Sequence, residues 1–462
     1  MSTMRSRMPL GTKMAGLVAD QTEGAPWLSG ELTIGAIEGI HLEIPFVHSP
    51  DGEQFEAARR WFREKSGPPH LAFQAPGHSV GLYGCTYTWG SIGTGASVVR
   101  VHAKAAVLRA SLEVDERLRA IGVTSLIDGL QEWTRLSSVS VRVDADAHHS
   151  SGPRASINVA AKPGPSWRDR TLELSLSTRW LIPQGRSPLS IHDDVALRSV
   201  AEHAMPIDQH LDAHRTIRDL VSLVFGAPCH YRGHELTHPD FVPTAFAPPE
   251  DPDAPRALAA EFFHHTTIAD EAAPQPESHA FLNPIIQFDE VGASGLEGWT
   301  ATCRRSPRAV ALTVGLLRRQ PVIEDLLVNS CMAIEALGRT LTSSEGEEHT
   351  LNRGNPTFTT YAFRCLDRAG FTADTFGVPL HRVARAVGRR YADTKHPNTT
   401  ELPDSMETLV VAQIAFLAMR VCLVTFASST GSIMDRRGIN RDIAYCSSRA
   451  SGLGIDLARL LG

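Results

Sequence analysis

Apolar and polar residues alternate through the first part of the chain. In Gly30-Glu-Leu-Thr-Ile-Gly and Gly39-Ile-His-Leu-Glu-Ile the period is two, with Ile40, Leu42 and Ile44 on one side. That spacing predicts half-buried strands. Leu82 to Trp89 and Val98 to Val107 continue it between glycine-rich turns. Val139-Ser-Val-Arg-Val and Leu172-Glu-Leu-Ser-Leu-Ser follow after a polar gap holding His148 and His149. This half of the chain reads as mainly β.

From Val195 to Phe225 the period lengthens. Ile207, Leu211, Ile217, Leu220, Val221 and Val224 suit helices, interrupted near Pro206 and ended by Gly226 and Pro228. The proline-rich, acidic stretch from Pro243 to Pro255 reads as a loop. After Pro307 the chain reads as helical. Ile323, Leu326, Leu327, Ile334 and Leu337 form one stripe between Pro321 and Gly338; Phe358 to Leu366, Leu380 to Lys395 and Met406 to Phe426 give three more helices, the last capped by Asp404 or Ser405. The expected fold class is α+β: an N-terminal tail (1–24), a β-rich N-terminal domain with some helices (25–300), and an all-α helical bundle (305–462).

The length of 462 residues supports more than one folding unit. With 42% hydrophobic and 21% charged residues, disordered, collagen-like and coiled-coil readings are set aside. A net charge of -6 does not point to a polyanion partner, so a nucleic-acid site has to be a local basic patch. The first fifteen residues lack a signal-peptide core. The most apolar stretch, Leu409 to Phe426, contains Gln413 and Arg420 and reads as a buried helix rather than a membrane span. Seven cysteines without a C-x-x-C pair fit reduced thiols and a cytosolic protein.

Such a basic patch lies in Gly388-Arg-Arg-Tyr-Ala-Asp-Thr-Lys-His-Pro397. Arg382, Arg389 and His396 are spaced by seven on one helix, with Arg385 beside them. From Arg382 to His396 there are five Lys or Arg and one acid, Asp393. Pro397 disfavours α geometry at His396, which would set the imidazole at a helix C-terminus. There the helix dipole favours the imidazolium, as suits a general acid or base near neutral pH. The plainer reading is a helix end capped by Lys395 and His396, with a solvated basic face.

Arg390 to His396 fits the R-x(4-6)-H signature of HEPN domains, and Val328-Asn-Ser-Cys-Met-Ala-Ile-Glu-Ala-Leu337 resembles the earlier helix of the ApeA-like HEPN group. Trp27-Leu-Ser-Gly-Glu-Leu-Thr, Glu38-Gly-Ile-His-Leu-Glu-Ile44 and Ile217-Arg-Asp-Leu-Val-Ser-Leu-Val-Phe-Gly-Ala-Pro228 resemble segments of the ApeA N-terminal domain, so the resemblance covers most of the chain from about residue 25. It implies a HEPN helical bundle and a metal-independent endoribonuclease of abortive infection against phage, without cofactor, cutting RNA (tRNA among the candidates) in a composite site between two protomers and answering to a phage-derived trigger. Carried over, Arg390 and His396 take the motif positions, Asp393, Lys395 and Glu335 support them, and Arg382, Arg385 and Arg389 contact RNA. The residue after the motif arginine, often Asn, Asp or His, is Tyr391 here, so Arg389 and Arg390 both stand as candidates. A bundle that has lost catalysis and serves in dimerisation or RNA binding is the alternative.

Other constellations are weaker. Cys229, His230, His234 and His238 carry metal-ligand types, but Gly233 within Tyr231-Arg-Gly argues against the helix that would align them. His264-His265 and His148-His149 read as solvated pairs. Gly90-Ser-Ile-Gly-Thr-Gly95 precedes a strand rather than a helix and reads as a hairpin turn, not a phosphate loop. The tryptophans at 61, 89, 133, 167, 180 and 299 read as core.

Overall fold

The computed structural model describes residues 10–20, 27–47, 61, 67–92, 96–108, 110–111, 118–144, 154–182, 190–238, 242–243, 259–395 and 404–462. These form two compact units. The first comprises 1–128, 136–214 and 230–275; the second comprises 129–135, 215–229 and 276–462.

The strands of the first unit are β1 (Lys13–Ala19), β2 (Leu28–Gly35), β3 (Gly39–Val47), β4 (His70–Ala75), β5 (His78–Tyr83), β6 (Thr86–Ile92), β7 (Ala96–Ala103), β8 (Ala105–Leu108), β9 (Ala110–Ser111), β10 (Arg119–Ile127), β11 (Val139–Asp144), β12 (Arg154–Val159), β13 (Pro163–Asp169), β14 (Leu172–Leu181), β15 (His192–Pro206), β16 (Tyr231–Thr237), β17 (Val242–Pro243) and β18 (Ala259–His264). Fourteen of them make one antiparallel sheet, ordered β13-β14-β15-β10-β16-β18-β8-β5-β4-β1-β2-β3-β7-β6. The period-two pattern sets the register: Leu32 pairs with Leu42 and Ile34 with Ile40, all fully buried.

Three expectations change. Within the expected tail, Lys13–Ala19 is a strand, because Met14 and Val18 turn into the core and the backbone pairs with both β2 and β4. The stretch from Val195 to Pro206 is also extended rather than helical. It pairs with β10 on one side and β14 on the other, and ladder bonds on both edges outweigh a local pattern that both periods can fit. His264 is buried rather than solvated, with Nε2 3.3 Å from Asp208 and Nδ1 2.8 Å from Thr266 Oγ1. His148, His149 and residues 244–255 of the expected loop lie outside the described residues, as do 93–95 of the glycine-rich turn between β6 and β7. Trp61, Trp133, Trp167 and Trp299 are buried as expected.

Helices follow in chain order: α1 (Leu130–Thr134), α2 (Ile207–Phe225), α3 (Ile268–Glu271), α4 (Phe288–Arg305), α5 (Pro307–Arg318), α6 (Ile323–Gly338), α7 (Phe358–Arg368), α8 (Ala373–Phe376), α9 (Leu380–Lys395), α10 (Ser405–Thr425), α11 (Arg437–Gly452) and α12 (Leu457–Leu461). The long helices of the second unit surround α10, which packs against α6, α7, α9 and α11. Asp404 caps α10 by accepting from the amides of Met406 (2.9 Å) and Glu407 (2.8 Å). Among the described residues α10 alone is long and apolar enough to cross a bilayer by length and composition. It is apolar on every side because it is the core of the unit, with 83% of its apolar window buried. All seven cysteines are free.

Candidate functional site

The basic helix of the sequence reading is α9. Val383, Ala384, Ala386, Val387 and Tyr391 are buried at the three- and four-residue spacing of one face, which packs against α7, while Arg382, Arg385 and Arg389 are exposed on the other. The positive field on that side also acts on His381. Burial first, and the charges of His349, Arg385 and Arg382 after it, push its imidazole below the usual range. Arg385 donates to the carbonyl of His349 at 2.6 Å, so it anchors the turn before α7 as well as adding charge.

The two candidate arginines have different surroundings. Arg390 is mostly covered, 15% exposed at its side chain, and donates to Glu407 Oε2 at 2.5 Å. Glu407 sits in the first turn of α10, so the acid favoured at that helix N-terminus also fixes the direction of the guanidinium. Thr394 Oγ1 donates to the Arg390 carbonyl at 2.9 Å, which closes the last turn of α9. Arg389 and Asp393 are exposed and have no ion pair among the described residues. Lys395 ends the helix with its Nζ 5.5 Å from the centroid of the Tyr391 ring. His396 lies outside the described residues. Glu335, on α6, is ion-paired with Arg339 one turn on and not with the motif. The structure therefore gathers Arg389, Arg390, Asp393 and Lys395 on the last turns of one helix, adds Glu407 to them, and leaves Glu335 on another.

Beside Lys395 lies an open hollow of about 230 Å³. Gly388, Tyr391, Ala392 and Lys395, one face of α9, form one wall, and Phe358 and Thr359 in the first turn of α7 form the other. Phe358 and Tyr391 pack with centroids 5.0 Å apart and planes 40° apart. A Cβ at position 388 would point toward the hollow, 3.0 Å from Thr359 Oγ1 and 3.4 Å from the Phe358 ring.

The proposed metal ligands are placed differently. Tyr231 to Thr237 is a strand, so His230, His234 and His238 do not share a helix face, and among the described residues no three His, Cys, Asp or Glu are grouped to hold a metal. His234 instead belongs to a buried chain of hydroxyls and imidazoles within the first unit. His210 Nε2 faces the carbonyl of Ala120 (3.2 Å) and must donate to it. Ser199 then donates to His210 Nδ1 (2.8 Å), His214 Nε2 to Ser199 (2.8 Å), Ser125 to His214 Nδ1 (2.6 Å), and His234 Nδ1 to Ser125 (2.7 Å). In this arrangement every donor has its acceptor with His210 and His214 neutral. Burial holds them so, lowering His210 to about 4 and, with the nearby His210 adding to it, His214 to about 3.

This chain makes the protein sensitive to acid. Unfolded histidines titrate near 6.5, so below that pH the unfolded state takes up protons that these two side chains refuse. Stability is full above pH 6.5 and falls as the pH drops toward the folded values. Between pH 7.5 and 5.5 the expected loss is about 1.4 kcal/mol for each histidine, about 2.7 kcal/mol for both. His41 and His70, lowered by burial, act in the same direction. Urea midpoints measured across this range check it, and midpoints that do not fall toward pH 5.5 would refute it.

The family model described as ApeA N-terminal domain 1 matches residues 23–299 of the chain. No curated protein and no solved structure matches it.

Proposed function

The chain belongs to the ApeA family of defence proteins, and from that premise we propose that it is a metal-independent endoribonuclease whose site lies at the end of α9. The observation that carries the reading is Arg390. It stands at the end of a basic helix, directed by Glu407, six residues ahead of His396, in a helical unit that follows an ApeA N-terminal domain. The ribose 2′-OH gives its proton to the imidazole of one His396 as it attacks the adjacent phosphorus, the bond from phosphorus to the 5′-oxygen breaks, and that oxygen takes a proton from the imidazolium of the second copy's His396. Arg390, always charged and shaped to take two phosphate oxygens, stabilises the charge that builds on the phosphorane, and Lys395 adds a point charge. Arg382, Arg385 and Arg389 line the RNA backbone, Asp393 supports the motif polar groups, and a cytosolic homodimer brings two motif ends together, since one His and one or two Arg are too few to supply acid, base and charge stabilisation alone. The first unit senses the phage-derived trigger.

The test is incubation of purified protein with total RNA and with DNA of matched sequence. RNA is expected to be cut in EDTA, leaving 2′,3′-cyclic phosphate ends, and DNA to stay intact for want of a 2′-OH. Activity that disappears in chelator and returns with a divalent ion would overturn this chemistry. Intact RNA in every condition would leave the basic face of α9 as a non-catalytic binding surface.

A further inference from the structure

Tyr391 departs from the polar residue usual after the motif arginine, and the proposed chemistry gives it no task. Its position suggests one. Tyr391 is largely buried and forms, with Phe358, an aromatic corner of the hollow; Thr359 adds a hydroxyl on the α7 side, and the Lys395 ammonium stands over the tyrosine ring at the rim. Gly388 keeps that space open by having no side chain to fill it.

We propose, resting on the ribonuclease reading above, that this hollow receives one nucleobase of the RNA next to the scissile bond and thereby sets the preferred cleavage sequence. The chemistry on the page fits such a ligand. Single-stranded RNA is read by splaying a base onto aromatic side chains, every base offers a π-face, and an ammonium at the rim can hold the attached phosphate. The volume is below that of a drug-sized pocket, which suits a single base rather than a larger ligand. Lys395 takes part in both the hollow and the motif, so a base seated there lies beside one of the charges that the proposed reaction uses.

The test uses two variants of the full chain. Ala392→Leu puts a larger side chain into the hollow from an exposed helical position where leucine is well tolerated, and Phe358→Leu keeps an apolar residue while removing the ring. Both are expected to weaken binding of a short, uncleavable 2′-O-methyl RNA about tenfold by fluorescence anisotropy, in line with one lost base stack, and to flatten the nucleotide preference seen when cleaved ends are sequenced. Thermal melts confirm folding. Unchanged affinity and an unchanged sequence preference in folded variants that still cut RNA would overturn the inference and leave the ribonuclease reading standing. If the wild-type chain binds the oligomer but never cuts RNA, the ribonuclease reading fails, and this inference, which depends on a scissile bond, fails with it.

Discussion

His396→Ala is expected to reduce RNA cleavage at least a hundredfold, on the order of 10²–10⁴, while the protein remains folded. A residue that moves a proton in the transition state supplies that range. Arg390→Ala is expected to cost about 10²–10³, the scale on which a preorganised charge stabilises a developing oxyanion. Its structural cost is small, because Glu407 is 44% exposed at its side chain and water replaces the lost partner. Arg389→Ala should lose less, since nothing among the described residues orients its guanidinium, whereas Arg390 is held by Glu407. Single-turnover assays on a labelled RNA check the order. A larger loss from Arg389→Ala than from Arg390→Ala would move the motif to Arg389, and full activity in a folded His396→Ala protein would remove the mechanism.

The parts of the fold that could be read from sequence are those in which one local signal dominates. Helix α6 runs from Ile323 to Gly338 because a proline precedes it and its stripe is regular. Helix α10 starts at Asp404 because a short acid there satisfies two orphan amides. The β15 segment could not be read this way, since its helix-like apolar spacing is overridden by two partner strands distant in sequence. The same holds within the site. Arg390 and Lys395 are visible as a motif, but Glu407 reaches Arg390 from the next helix, and its only sequence signal is an acid in that helix's first turn. His234 shows the opposite failure: its sequence neighbours suggest a metal ligand, and only the packing of α2 against β10, β15 and β16 shows that it joins His210 and His214 in a chain bridged by Ser125 and Ser199.

Arg420 belongs to the same class of residue that burial makes expensive, and Arg420→Met is expected to destabilise the protein by about 3–5 kcal/mol. Its guanidinium is buried midway along the apolar helix α10. Nε donates to the carbonyl of Leu223 (2.5 Å), Nη2 to that of Val224 (3.0 Å), and Nη1 to Asp442 (2.8 Å). Leu223 and Val224 end α2, where the last carbonyls have no partner within the helix and the dipole is negative, so the cation both fills the bonds and matches the charge. Gly226 follows with φ +70°, and a Cβ there would come within 2.6 Å of the guanidinium; only glycine gives the α2 terminus its turn and leaves room for the cap. Methionine keeps much of the volume but supplies no donor, which strands the buried Leu223 carbonyl and leaves that of Val224 with the Ile285 amide alone (3.0 Å). Asp442 is better protected, being partly exposed and also held by Arg441, so Asp442→Asn should cost markedly less. Arg420→Lys should recover only part of the loss, since one ammonium cannot span three acceptors set for a planar fork. Urea denaturation of the three variants checks the ranking. An Arg420→Met protein within 1 kcal/mol of wild type would mean that water reaches the end of α2 and that the arginine is not its cap.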